Sequence, residues 1–379
     1  MSRRIAISAV LVVLAAGGFV VWKWQHDGRG NAEKPGTVRV TKAESRPAVS
    51  TDLLAQASAG LSTAPDESRQ SLKDLRASLL AMPKDEALAM IRSFLASGDD
   101  RATGLSFDIA RDGSLNEWPT FRTFLLDVLP SIDPAAAAAL GREILASPTT
   151  ADEWALALRN VARGEPLEES AAFLQRKTEE LIANPAWQAE PSVGYLNAFD
   201  VLVHIGATGS TPLLSGLVQR KDRKDLAHAA FLTLDRLAQR QPVDLLGRLA
   251  ADRALRESRP EMVAQQFARA DVRDPDQREI LRQWLLDPAR TSAELRSFAG
   301  VYPNNNRFVS NNLLTVESTQ TGDDLAAHDR AALQTVSAWA DDAAFEAVRE
   351  PLALMLSRLE GFVSVRENPS SPAPPTSND

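Results

Sequence analysis

Cysteine is absent from the 379-residue chain. That excludes disulfides, thiolate catalysis and Cys-ligated metals. It also excludes a lipoprotein anchor, which needs a Cys to acylate. Histidine is nearly as scarce: His26, His204, His228 and His328 are the four present, none paired at metal-ligand spacing and none in a His-Glu-x-x-His. No metal and no cofactor is expected. The Gly-x-x-x-x-Gly-Lys-Ser/Thr phosphate loop and the Gly-x-Ser-x-Gly elbow are both missing. Asn368-Pro369-Ser370 resembles a glycosylation sequon but is blocked by its proline. Lacking these motifs, the chain is expected to be non-catalytic.

Charge is distributed unevenly. Residues 1–46 carry eight Lys/Arg against three acids, a local +5, whereas the whole chain is at −8, leaving −13 for residues 47–379. Nucleic-acid binding needs clustered cations on the body, so an acidic body argues against that partner. The basic segment suits anionic lipid headgroups instead.

A long charge-free apolar run lies inside that basic segment, between Arg4 and Lys23. As a helix its residues would reach ~27 Å at ~1.5 Å each, just enough for a hydrocarbon core about 30 Å thick. The run continues past Ala15-Ala16-Gly17-Gly18 into Phe19-Val20-Val21 and ends at Trp22-Lys23-Trp24, an aromatic and snorkelling boundary. Residues 1–24 are therefore expected to be a single-pass anchor, with Arg3, Arg4, Trp22, Lys23 and Trp24 at the membrane interface. The alternative is a signal peptide cleaved near Gly17. Either places the body in the periplasm of a bacterial-type cell; the anchor reading adds attachment to the inner membrane.

Residues 25–62 show no sustained periodicity and read as a flexible spacer. Residues 367–379, "ENPSSPAPPTSND", read as a disordered Pro/Ser tail. Residues 63–366 read as roughly fourteen helices of ordinary length. "SLKDLRASLLAM" places Leu72, Leu75, Leu79 and Leu80 on one face. Asp133-Pro134 and Asp274-Pro275 pair an N-cap with a first-turn proline. Thr150-Ala151-Asp152-Glu153 reads as a capping box. One stretch departs from this pattern: in "GLSFDIARDGSL" (104–115), Leu105, Phe107 and Ile109 alternate ahead of Asp112-Gly113, which predicts a small β-hairpin. Read as a calcium loop from Asp108, it fails, with Ala110 at the third position and Pro119 at the twelfth.

"LVHIGATGSTPLLSGLV" (202–218) and "LDRLAQRQPVDLLGRLA" (234–250) each close one helix, turn sharply and open the next with Pro and Leu-Leu. In "GATGST" the turn predicts Ser210 or Thr211 as the N-cap before Pro212. Residues 195–255 thereby resemble a HEAT-type helical repeat, although the proline spacing is shorter than the usual ~40–47 residues. The resemblance implies an all-α, irregular α-solenoid or helical array with one hairpin insertion, behind an N-terminal transmembrane helix; a compact irregular bundle fits the same periodicity. A solenoid implies a protein partner held on its surface.

The expected function is that of a membrane-tethered helical interaction scaffold. The alternative is an exported helical hydrolase or carbohydrate-active enzyme with an acidic groove, which would set Trp118, Trp154 or Trp284 beside paired carboxylates. Among binding candidates one stretch leads: "YPNNNRFVSNNLL" (302–314), whose Asn304, Asn305, Asn306, Arg307, Asn311 and Asn312 could read a peptide backbone or a sugar. A surface loop whose amides only form turns and caps explains the same residues.

Overall fold

The computed structural model describes residues 52–317 and 320–367. The expected membrane span, with its five interface residues, lies outside this range, as does the Pro/Ser tail beyond Glu367. Among the described residues, no helix is long and apolar enough to cross a membrane.

Helix follows helix, in keeping with the periodicity. The first block holds α1 (Asp52–Ala59), α2 (Pro65–Ala81) and α3 (Lys84–Ser97), then a hairpin of β1 (Asp108–Ile109) and β2 (Leu115–Glu117). The chain continues through α4 (Phe121–Ile132), α5 (Pro134–Ile144), α6 (Ala151–Gly164) and α7 (Leu167–Ala183), and then the short α8 (Pro185–Ala189), α9 (Val193–Asn197) and α10 (Asp200–His204). Next come α11 (Thr211–Val218), α12 (Lys224–Arg240), α13 (Pro242–Ala251), α14 (Arg253–Ser258) and α15 (Pro260–Phe267). Last are α16 (Pro275–Leu286), α17 (Ser292–Val301), α18 (Gly322–Asp341) and α19 (Arg349–Glu367). Helix α1 falls inside the stretch expected as spacer. Leu54 and Leu61 are the cause: both are buried, and α1 packs on α3, so the helical body reaches back to Asp52.

The proline starts behave as expected. Asp133 accepts from the amide of Ala136, and Asp274 from those of Asp276 and Gln277. Two expected caps differ. Thr150 does accept from the Glu153 amide, but the Glu153 carboxylate does not close the box. It turns instead to Arg122 on α4, with both oxygens bonded at 3.0 and 3.1 Å in a buried pair. A bidentate guanidinium outcompetes a local amide for a buried carboxylate. Ser210 caps nothing: its hydroxyl donates to Glu179 at 2.6 Å, and a 3-10 turn over Thr208–Ser210 leads directly into α11.

The hairpin forms where Asp112-Gly113 predicts it, pairing Asp108 with Glu117 and Ile109 with Leu115. Gly113 sits at φ +76°, a conformation that L side chains rarely adopt. A charged node beneath the hairpin fixes it to the helices. Asp127 on α4 receives the Leu115 amide, the Trp118 Nε1 and the guanidinium of Arg159 on α6, the last at 2.7 Å. Arg159 also donates to the carbonyl of Gly113. The side chains of both ions are fully buried. Trp118, Trp154, Trp284 and Trp339 are all core residues.

Candidate functional site

The Asn-rich stretch does leave the helical pattern, and its path is the main feature that the sequence did not foretell. Helix α17 stops where Tyr302 turns extended and Pro303 removes an amide donor. The Tyr302 ring stays buried, stacked on Phe298 with centroids 5.1 Å apart. From there the chain runs as a strap without regular structure. The Asn304 amide donates to the Ala268 carbonyl, and Arg269 donates to the carbonyls of Asn304 and Asn306. Arg269 is itself held by buried Asp235 at 2.5 Å.

Further along, Phe308 sets its ring edge-on to Phe231. Ser310 receives Arg236 at 2.6 Å and donates to Asn312. The far end fastens to the first half of the chain. Asn311 donates to the carbonyl of Ile109 in the hairpin, and Arg163 of α6 to that of Leu313. Buried Asp200 of α10 receives the amides of Leu314 and Thr315 and the Thr315 hydroxyl, at 2.5–2.9 Å.

The six candidate binding residues therefore divide. Asn304, Asn305 and Arg307 line a polar cavity of 180 Å³. Asn306 contributes its carbonyl to Arg269. The amides of Asn311 and Asn312 are spent on carbonyls, that of Ile109 and that of Thr315. The first three face a place where a ligand could sit; the last two fasten the strap.

Other segments add to the cavity wall. The end of α12 brings Gln239, the α15–α16 connection brings Arg269 and Asp271, and α18 brings His328. Gln277 lines it too, its side chain accepting the Asp271 amide. Burial opposes the ionisation of Asp271, but the Arg273 guanidinium and amide outweigh it and hold the carboxyl below its usual range. His328 is buried, with Nε2 3.9 Å from Asp271 and Nδ1 3.6 Å from Asp329. Neither distance is a hydrogen bond, and Nδ1 has no hydrogen-bond partner among the described residues. The Gln239 Oε1 is likewise buried without one.

Burial lowers the pKa of His204, keeping it toward the neutral form. Among the described residues no group of three His, Asp or Glu is arranged to hold a metal ion. Compared with family models, with curated proteins and with solved structures, the chain finds no match in any of the three.

Proposed function

We propose that the chain is a membrane-tethered helical scaffold that holds a protein partner. In this reading residues 1–24 anchor it in a bacterial-type inner membrane, and an irregular HEAT-like array stands in the periplasm. The observation that carries the reading is that consecutive helices pack closely in pairs along the chain: α5 on α6, α11 on α12, α18 on α19. Packing of each unit mainly on its neighbours is the habit of helical arrays, whose usual work is binding other chains. The alternative, a helical hydrolase, would set tryptophans beside paired carboxylates in a groove. Trp118, Trp154 and Trp284 are buried, and the carboxylate that meets Trp118, Asp127, is committed to Arg159. That favours the scaffold.

The test is cross-linking of the full chain in its native envelope, with reciprocal capture by whichever protein it retains. The chain should sediment with membranes, and a version lacking residues 1–24 should be soluble, helical and still retain the same partner. A soluble full chain whose mature N-terminus lies near Gly18 would overturn the tether. A folded body that retains no discrete protein would overturn the scaffold.

A further inference from the structure

We infer that a second cavity, set between α3, α4 and α5, binds a small zwitterion with an apolar body, of the kind presented by an aliphatic amino acid or a dipeptide of such residues. This function is separate from the tether and from any protein partner. The cavity measures 440 Å³, within the roughly 300–1,000 Å³ of small-ligand pockets.

The ligand chemistry follows from which lining groups are open. Leu95 of α3 and Leu140 and Ile144 of α5 supply apolar surface. Three charged side chains share the wall: Arg92, Arg122 and Glu143. Arg122 is spent, with Nε and Nη2 on Glu153 and Nη1 on the Leu95 carbonyl. Arg92 and Glu143 are not. Both are exposed, and neither makes an ion pair or a side-chain hydrogen bond among the described residues. The Thr149 hydroxyl is sealed from solvent and takes no part.

Glu143 stands in the last turn of α5, at the negative end of the helix dipole, where an anion is disfavoured. An ammonium placed beside it gains from the carboxylate and from the helix end together. Arg92 offers a carboxylate the planar fork that suits two parallel hydrogen bonds. The open cation and the open anion lie on separate helices, with apolar wall shared between them. A ligand that carries one charge of each sign satisfies both. A phosphate or a simple amine would satisfy one and be repelled by the other. An aliphatic body between the charged ends covers Leu140 and Ile144 and takes their remaining surface out of water.

Calorimetric titration of the full chain in detergent micelles tests this, with leucine, Leu-Leu and their N-acetyl and C-terminal amide derivatives as probes. At least one of the two free zwitterions should bind saturably; the tighter one reports how far apart the two charges are held. Exposed charges act weakly one at a time, so Arg92→Gln and Glu143→Gln should each weaken binding about threefold or more. Amidation should weaken binding to the natural chain but add nothing in Arg92→Gln, and acetylation should add nothing in Glu143→Gln. Ala96→Trp, at an exposed position on the cavity wall, should block binding while circular dichroism stays unchanged. Absence of saturable binding by both zwitterions overturns the assignment. So does binding that is indifferent to blocking either end, or that both glutamine variants leave intact.

Discussion

Arg159 and Asp127 face one another at 2.7 Å with both side chains sealed from solvent, and the Leu115 amide and Trp118 indole close on the same carboxylate. Breaking such a pair strands a charge, which costs about 3–5 kcal/mol. Asp127→Ala should lower unfolding stability by that amount in denaturant titration of the protein. The double variant Asp127→Leu with Arg159→Met should lose clearly less than Asp127→Ala. Equal losses would show that the hairpin is held by something other than this pair.

Asp200 fastens the strap by three hydrogen bonds to one carboxylate. Asp200→Ala leaves two amides and a hydroxyl unsatisfied and should cost roughly 2–3 kcal/mol. It should also expose residues 303–313 to limited proteolysis. Asn305→Ala, whose side chain sits at the cavity wall, should change stability by less than about 0.5 kcal/mol. Proteolysis unchanged in Asp200→Ala would mean that the strap has a stronger hold elsewhere.

Gly113 combines a positive φ with close approach. A Cβ there would meet the Leu313 carbonyl oxygen at 2.2 Å and Arg163 Nη2 at 2.4 Å. Gly113→Ala should therefore cost more than about 1 kcal/mol. Hydrogen exchange should rise at both the hairpin and the strap, although the substituted residue belongs to only one of them. Faster exchange confined to the hairpin would refute the close contact.

Asp152 gives a pH signature. Burial pushes its carboxyl above the ordinary 3.8, against the pull of the Ser192 hydroxyl and the Gly194 amide. The folded state then holds a proton that the unfolded state releases. Stability contributed by this group is present at low pH and lost as pH rises from 3.8 through the raised value. Asp152→Asn keeps an acceptor oxygen for both partners and removes the buried charge. Its stability at pH 7 should equal or exceed that of the natural chain, with the difference shrinking on acidification. A loss above about 1 kcal/mol at pH 7 would show the charge to be favourable.

Local signals in the sequence were reliable where the chemistry is local. The Asp-Pro starts at Asp133 and Asp274 and the Asp112-Gly113 turn fixed their elements through bonds to residues two or three positions away. What escaped was long-range. Glu153 reads as the end of a capping box because nothing nearby reveals Arg122, 31 residues earlier. A usable clue to the buried node did exist: single charges inside apolar helices, Asp127 in "FLLDVLP" and Arg159 in "LALRNVA". A charge in such a setting requires an opposite partner. The cavity was half legible, since the Asn-rich stretch pointed to the strap. Its opposite wall of Gln239, Asp271 and His328 carries no common motif and is assembled from three separate segments.

Because Asn311 reaches Ile109 across 202 residues and Thr315 reaches Asp200 across 115, the early part of the chain is made long before the piece that completes it. During synthesis the carboxylate of Asp200 and the surface around Gly113 must wait, hydrated, until the strap emerges. Contacts of such separation slow folding, because the closure entropy is lost before the contact can repay it. A chain cut near residue 300 would thus resemble a jacket without its last button, helical throughout and open along its front.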